Sequence, residues 1–332
     1  VPIAFSLSGG IDSGVLANLY AEQKINKVNT FSLNFEGFGN RWDETESING
    51  TVNKIKSNHQ SILFNSEKFY RDFQNIFNSL DEPYGGGLPV WLITKEISKK
   101  FKVAITGTGG DELFGNYNRY YRFKEIKSKS FKTKFKKYFD SLYAANNKWK
   151  KKYIYQKFNR PKDVCLEYFK KLNSYNLKPL SKSFSYLDLD TQLTNEFLPM
   201  SDLLSMKHSV ELRTPFLDHE LVELVYSLPE KFRISSKTYK PILYDIVKSF
   251  KNIESSFEAK KGFSLPLSLL MKKSLRPLIN KYFCRKNLKK HGLIRPEFVE
   301  DYVQPMLKGK NENIQLIWNM LVLQMWFEKN IN

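Results

Sequence analysis

The sequence predicts an α/β fold, a doubly wound parallel sheet followed by a helical carboxyl-terminal lobe. In the first third of the 332 residues, short β-branched or aromatic runs alternate with helical apolar spacing, which is typical of parallel βαβ units. From Arg119 onward the strand pattern fades and helical spacing continues to the end. Hydrophobic residues make up 41% of the chain and charged residues 26%, a composition that excludes a disordered or fibrous protein.

The elements follow in order along the chain. The first strand is predicted at residues 3–7 and the first helix at 15–21. Further strands are predicted at 28–35, 60–64 and 103–106, and further helices within 44–57, at 68–80 and at 90–101. Ligands of such sheets bind at the carboxyl ends of the strands, so we expect the site in the loops that follow Leu7, Leu33 and Thr106. The predicted parts are an α/β core at 1–118, a basic helical insert at 119–195 and a helical lobe at 196–332 that completes the site.

The net charge of +19 on its face suggests an anionic partner such as nucleic acid. Residues 122–162, however, hold 15 Lys and Arg against two acidic residues, so this one segment has a charge of +13. Aromatic residues interrupt it at helical spacing. We therefore interpret the excess charge as a local insert and do not expect a nucleic-acid partner.

The sequence also bears on compartment and on metal chemistry. No apolar run reaches the ~18 residues that span a bilayer, and no signal-peptide pattern opens the chain. Cys165 and Cys284 are far apart and without neighbouring ligands, which argues against a disulfide framework or a zinc site. We expect a cytoplasmic protein without a membrane span. The start at Val1, one residue before a strand, predicts that a further segment precedes it.

The strongest local pattern is SGGIDS at residues 8–13, directly after the first strand and at the start of the first helix. Gly9 and Gly10 let the backbone approach an anion, and Ser8 and Ser13 add hydroxyl donors at a helix amino terminus. Asp12 adds negative charge there, which suits a divalent cation that bridges to phosphates. The pattern therefore predicts a phosphate site with magnesium. The structural alternative is a Gly-Gly turn with an acidic residue in the first helical turn.

The SGGIDS run resembles the pyrophosphate loop of ATP pyrophosphatases. A second run, TGTGGDELFGNY at 106–117, is similar to the GxGSDExFxGY segment of asparagine synthetases. The other stretches that agree with that family are Asp43-Glu44, SVELRTPFLD at 209–218 and KKGFSLP at 260–266. Residues 2–266 thus resemble the synthetase domain of the asparagine synthetase family, which implies an adenine nucleotide alpha-hydrolase-like PP-loop fold.

This resemblance implies an ATP-dependent, AMP-forming amidation of a small-molecule carboxylate through an acyl-adenylate. ATP and Mg²⁺ are the implied cofactors, with Asp12 and Asp111 as metal ligands and catalytic residues. Main-chain groups near Leu7 and Leu33 would hold the adenine and ribose, and Thr106 and Gly107 would line the acyl-adenylate. The implied ATP and pyrophosphate contacts are Leu7, Ser8, Gly9, Gly10, Asp12, Ser13, Leu33, Thr106 and Gly107.

Other matched positions concern the transition state and the acceptor. Lys260 aligns with the family's catalytic lysine, whose compact ammonium suits charge developing at phosphorus. Thr108, Glu112 and Tyr117 match family positions that border the acceptor. For Tyr117, a tyrosine packed in the hydrophobic core is a nearly equal interpretation. Lys240 also has a family counterpart, for which the residues alone indicate no role.

Three departures from the family shape the functional hypothesis. Thr108 stands where asparagine synthetases usually carry an acidic residue, so the acceptor is either aspartate or another carboxylate such as a sugar uronic acid. Glu258 replaces an arginine that would contact phosphate. The family's amino-terminal glutaminase domain is absent from these residues, so nitrogen is expected from ammonia, or from glutamine through an upstream domain or a partner subunit.

Two other classes remain open. An RNA-modifying adenylating enzyme carries the same loop, and the basic aromatic segment could hold RNA; the second motif and PFLD at 215–218 argue against it. An inactive scaffold homologue is supported only by Thr108 and Glu258. The sequence does not determine whether the protein forms a homo-oligomer.

Overall fold

The structure is a computed structural model. It describes residues 1–23, 26–35, 38–39, 42–78, 80–115, 117, 120, 130–142, 147–155, 164–175, 177–178, 180–234, 240–250, 265–310 and 313–331. The chain divides into two compact units, which we treat separately. The first comprises Val1–Phe64, Gly87–Lys127 and Lys170–Ser264, and the second comprises Asn65–Gly86, Ser128–Phe169 and Leu265–Asn332.

The first unit contains a parallel sheet. Among the described residues its strands are β1 (Ile3–Ser6), β2 (Asn29–Asn34), β3 (Asn58–Leu63), β4 (Val103–Ile105) and β5 (Glu211–Arg213). Their order is β3-β2-β1-β4-β5, with every neighbouring pair parallel. The order reverses between β1 and β4, and in such sheets ligands bind at the carboxyl ends of the strands at this reversal.

The helices follow in chain order. They are α1 (Ile11–Glu22), α2 (Thr45–Ile55), α3 (Ser66–Asn78), α4 (Leu88–Ile97), α5 (Gly110–Phe114), α6 (Phe131–Leu142), α7 (Asn147–Tyr153), α8 (Val164–Ser174), α9 (Leu180–Asp188), α10 (Leu198–Met206), α11 (His219–Ser227), α12 (Glu230–Arg233), α13 (Pro241–Ser249), α14 (Leu267–Lys272), α15 (Arg276–Tyr282), α16 (Arg285–His291), α17 (Gln304–Leu307) and α18 (Ile314–Asn330). In the part of the chain that the structure describes, π-helical segments at Leu189–Phe197 and Val299–Val303 precede α10 and α17.

Helices cover both faces of the sheet, as the predicted doubly wound fold requires. Ala4 packs with Ile93 and Ile97 of α4, whereas its neighbour Phe5 packs with Ala17 of α1 and Ile48 of α2. Adjacent strand residues point to opposite faces, so these helices lie on opposite sides. The prediction of an α/β parallel sheet with many helices is confirmed.

Strand β5 corrects the prediction that the sheet ends within residues 1–118. Glu211, Leu212 and Arg213 pair in parallel with residues 103–105 of β4, although they lie in the part predicted to be wholly helical. The strand has three residues, and two of them are charged and exposed. Such a short run has no apolar alternation, so only its pairing with β4 makes it a strand.

A second core joins the helices next to the carboxyl ends of β1 and β4. Ile11 and Val15 of α1 pack with Leu113 of α5 and with Leu243 and Val247 of α13. Full burial of each such aliphatic side chain contributes about 1.5–3 kcal/mol to stability. This core holds the amino-terminal ends of α1 and α5 and the helix α13 in a common arrangement.

The second unit accounts for most of the net positive charge, because its 26 basic and 12 acidic residues give +14 of the total of +19. Its core includes Trp149 and Tyr153 of α7, which pack with Phe298 and Tyr302. An isolated antiparallel bridge joins Ile154 to Ile294, so part of the basic segment is integrated in a folded core. No helix in the described part of the chain is long and apolar enough to cross a membrane.

Candidate active site

The loop after β1 is closed by its own hydroxyl groups. The Ser8 amide donates to Ser13 Oγ over 3.0 Å, and the two serine hydroxyls lie 3.1 Å apart. The Gly10 amide lies 3.3 Å from Ser8 Oγ, and Gly10 then caps α1 in an extended conformation. Leu7 anchors the loop to the sheet through its amide and the Phe31 carbonyl, 2.8 Å apart. The loop is therefore preorganised at the positive end of a helix, where anions bind.

A carboxylate already lies against this loop. Glu44 Oε2 accepts a hydrogen bond of 3.2 Å from the Gly9 amide, and Ser47 Oγ donates to the Gly9 carbonyl over 2.7 Å. A Cβ on Gly9 would lie 2.9 Å from the Cβ of Glu44, so this close approach requires glycine. The Gly9 amide can thus donate a hydrogen bond to a negatively charged oxygen, as the predicted phosphate site requires.

The second motif packs directly on the first. A Cβ on Gly107 would lie 2.8 Å from the Cβ of Asp12, and one on Gly110 would lie 2.6 Å from its Oδ1. Gly109, between them, has a φ of 88° that favours glycine. The hydroxyls of Thr106 and Thr108 are 2.7 Å apart. The structure therefore brings together the predicted residues of the loops after β1 and β4.

The carboxylates of Asp12 and Asp111 converge on one ammonium group. Lys240 Nζ donates to both oxygens of Asp12, at 2.5 Å to Oδ2, and to Oδ1 of Asp111 at 2.7 Å. Lys240 is completely buried, and the two aspartates are buried as well. Asp12 lies in the first turn of α1 and Asp111 in the first turn of α5, where the helix dipoles stabilise negative charge.

Sequence reasoning assigned no role to Lys240. It lies 228 residues from Asp12 and 129 from Asp111, and a lysine is normally a solvated surface residue. The only local signal is Pro241, which marks the first position of α13. That signal identifies a helix start but says nothing about the carboxylates, so the site could be found only in three dimensions.

The remaining predicted residues lie in different surroundings. Tyr117 Oη donates to Glu112 Oε1 over 2.7 Å, and Glu112 is buried beside Asp111. Leu33 is buried in β2, the strand next to β1. Lys260 and Glu258 lie outside the described residues, so their assignments stay predictions.

The carboxylate pair suits a magnesium ion. Mg²⁺ is usually held by one or two carboxylates, with water and substrate phosphates as its other ligands. Asp12 and Asp111 present oxygens to a single cation beside an anion-binding loop. Among the described residues no group of three or more His, Cys, Asp or Glu could hold a metal. The two aspartates therefore fit a metal that shares its ligands with a phosphorylated substrate.

The family model described as "Asparagine synthase" matches residues 1–328. The chain belongs to the asparagine synthase family. This confirms the resemblance found in the two motifs and the expected fold class.

Curated members of the asparagine synthase family are similar at low identity. Asparagine synthetase [glutamine-hydrolyzing] 1 of Bacillus subtilis (strain 168) is 25% identical over 100% of this chain and 56% of its own length. Asparagine synthetase [glutamine-hydrolyzing] 3 of the same organism is 24% identical over 73% of this chain and 42% of its own length. The chain thus spans about half the length of these relatives.

Proposed function

We propose that this chain is the synthetase part of an amide-forming carbon–nitrogen ligase that uses ATP and releases AMP and pyrophosphate. The observation that carries the proposal is the convergence of Asp12 and Asp111 beside the glycine loop at the sheet reversal. A carboxylate pair next to an anion-binding loop suits a triphosphate with its cation. Ligand-binding positions at strand ends agree with this use of the fold.

In the first proposed step a carboxylate oxygen of the acceptor attacks the α-phosphorus of ATP. The bond from that phosphorus to the bridging oxygen of the β-phosphate breaks, which yields the acyl-adenylate and pyrophosphate. In the second step an amine nitrogen attacks the acyl carbon, loses a proton, and AMP leaves. Both steps develop negative charge on oxygen that preorganised donors and cations stabilise.

Different residues of this chain would bind the phosphates and the nucleoside of ATP. The loop amides and the hydroxyls of Ser8 and Ser13 would bind the pyrophosphate portion, and Thr106 and Gly107 would border the adenylate. Main-chain groups near Leu7 and Leu33 would hold the adenine and ribose. A magnesium ion bound by Asp12 and Asp111 would neutralise phosphate charge.

The catalytic cation and the acceptor site are part of the same proposal. Lys260 would contribute its ammonium at the reacting phosphorus, as its motif implies. The hydrogen-bonded pair of Glu112 and Tyr117 and the neutral Thr108 would face the acceptor. Two acceptors fit: aspartate, or a carboxylate without a cationic amino group such as a sugar uronic acid. Thr108 favours the second because a hydroxyl attracts a cation far less than a carboxylate does.

The nitrogen source and the location in the cell belong to the proposal too. The relatives named above are glutamine-hydrolysing, and we propose glutamine-derived ammonia, delivered by a glutaminase domain or subunit, with free ammonia as a substitute. The proposed compartment is the cytoplasm, where ATP is available.

The test is a pyrophosphate-release assay with ATP, magnesium, ammonia and a panel of carboxylates that includes aspartate and uronic acids. We expect AMP and pyrophosphate in equal amounts with at least one acid. Asp12→Asn should lower the rate at least 100-fold. The control Asp245→Asn, at an exposed position of α13, should keep it. Release of ADP and phosphate, or no ATP cleavage by folded protein with any acid, would contradict the proposal.

A further inference from the structure

Lys240 occupies the place between the two carboxylates that a metal ion would take. Its ammonium donates to oxygens of both Asp12 and Asp111. An ammonium group is compact and has three N–H donors. Its hydrogen bonds to Asp12 and Asp111 use all three. The carboxylate oxygens that would bind a divalent cation are the oxygens that bind Lys240.

The backbone directs this side chain into the site. Lys240 has φ 43° and ψ 64°, a left-handed conformation that is uncommon for residues other than glycine. Its carbonyl accepts the first hydrogen bonds of α13, from Leu243 at 3.0 Å and Tyr244 at 3.2 Å. The aliphatic core that α13 shares with α1 keeps the helix start next to Asp12. Such strained residues cluster at functional sites.

Electrostatics explains why a cation belongs there. Two buried carboxylates that face one point repel each other unless a positive charge separates them. One ammonium compensates half of their charge, whereas a divalent cation compensates all of it. The ammonium and a metal ion cannot both occupy the position between the same oxygens.

We propose that Lys240 is the positioning residue of the carboxylate pair: its ammonium keeps Asp12 and Asp111 convergent without a metal, and a divalent cation binds only by displacing it. The inference rests on the proposed function, because that function makes the two aspartates metal ligands. Metal binding therefore requires that the hydrogen bonds from Lys240 to Asp12 and Asp111 are broken. It follows that a divalent cation binds weakly alone and much more tightly with a phosphate compound that supplies further ligands.

The test measures Mn²⁺ affinity by electron paramagnetic resonance, without nucleotide and with inorganic pyrophosphate. Wild-type protein should bind Mn²⁺ at least tenfold more tightly when pyrophosphate is present. Lys240→Met should bind Mn²⁺ alone at least tenfold more tightly than wild type, a change of about 1.4 kcal/mol. Lys248→Met removes a charge from an exposed position of the same helix and should behave as wild type. If the methionine variant does not fold, Lys240→Gln provides the same comparison.

The outcomes separate this inference from the proposed function. Mn²⁺ affinity in Lys240→Met that equals or falls below the wild-type value would overturn the displacement by metal, provided that Asp12→Asn still abolishes binding. If Asp12→Asn leaves Mn²⁺ binding intact in the presence of pyrophosphate, the metal role of the pair, and with it that part of the proposed function, fails instead.

Discussion

Gly110 lies against the carboxylate of Asp12 so closely that a Cβ at this position would be 2.6 Å from Oδ1. The two residues belong to different motifs, and nearly 100 positions separate them in the chain. They meet because β1 and β4 are parallel neighbours and both motifs follow the carboxyl end of their strand. The contact limits how the carboxylate can move.

Gly110→Ala should displace the Asp12 carboxylate. We expect pyrophosphate release to fall at least tenfold, with a loss of about 1–3 kcal/mol in the free energy of unfolding, which is typical of overpacking. Denaturant titration and the pyrophosphate assay measure the two effects separately. An alanine variant with wild-type activity would show that the position of this carboxylate is not critical.

Glu44→Gln should strengthen pyrophosphate binding. The Glu44 carboxylate accepts a hydrogen bond from the Gly9 amide, in the loop proposed to bind phosphate. Its negative charge would repel a bound phosphate. Glutamine keeps an acceptor oxygen without the charge, so we expect a several-fold lower dissociation constant by calorimetry. Glu46→Gln, at an exposed position in the first turn of α2, the helix that Glu44 precedes, should leave the dissociation constant unchanged. Weaker binding in Glu44→Gln would mean that the carboxylate assists phosphate binding.

Arg233→Lys should destabilise the first unit although the charge is kept. The buried guanidinium donates to the Leu113 carbonyl through Nε and Nη2, at 3.0 and 2.9 Å, and to Ser185 Oγ at 3.1 Å. It also stacks 3.9 Å from the ring centre of Tyr226. Lysine cannot reproduce this planar set of donors, so we expect a loss of about 2–4 kcal/mol by denaturant titration.

Arg213→Lys is the matched control for that experiment. Arg213 pairs with Glu211 at 2.7 Å on the exposed edge of the sheet, where solvent screens an ion pair and its contribution to stability is small. The free energy of unfolding should therefore change far less in Arg213→Lys than in Arg233→Lys. Equal losses for both arginines would contradict the structural role given to Arg233.

His59 should make stability depend on pH. Burial lowers the pKa of His59, whose ring nitrogens lie 2.9 Å from Thr30 Oγ1 and 3.2 Å from Ser32 Oγ. His59 binds a proton more readily in the unfolded state than in the folded state. The contribution of neutral His59 to the free energy of unfolding is therefore fully present above its unfolded pKa of about 6.5 and is lost as the pH falls below that value. In His59→Gln, the melting temperature should change less between pH 7.5 and pH 5.5 than it does in wild type. The same slope of stability against pH in His59→Gln as in wild type would contradict this assignment.

The elements of the first third follow the predicted order because their patterns are strong. The predicted strand at 28–35 is observed at Asn29–Asn34, and the helix at 68–80 is observed at Ser66–Asn78. Strong periodicity identifies an element, whereas its ends depend on caps and neighbours. Strand β5 escaped prediction because two of its three residues are charged and its hydrogen bonds come from the distant strand β4.

By itself, the sequence determined the α/β class, the two glycine-rich motifs and the family, because these properties lie in local patterns of residues. Only the tertiary structure decided that Gly110 packs on Asp12 and that Lys240 joins Asp12 to Asp111. The physical reason is that such contacts depend on the strand order and on how α13 packs against α1. Neither relationship leaves a periodic signal among residues so distant in the chain.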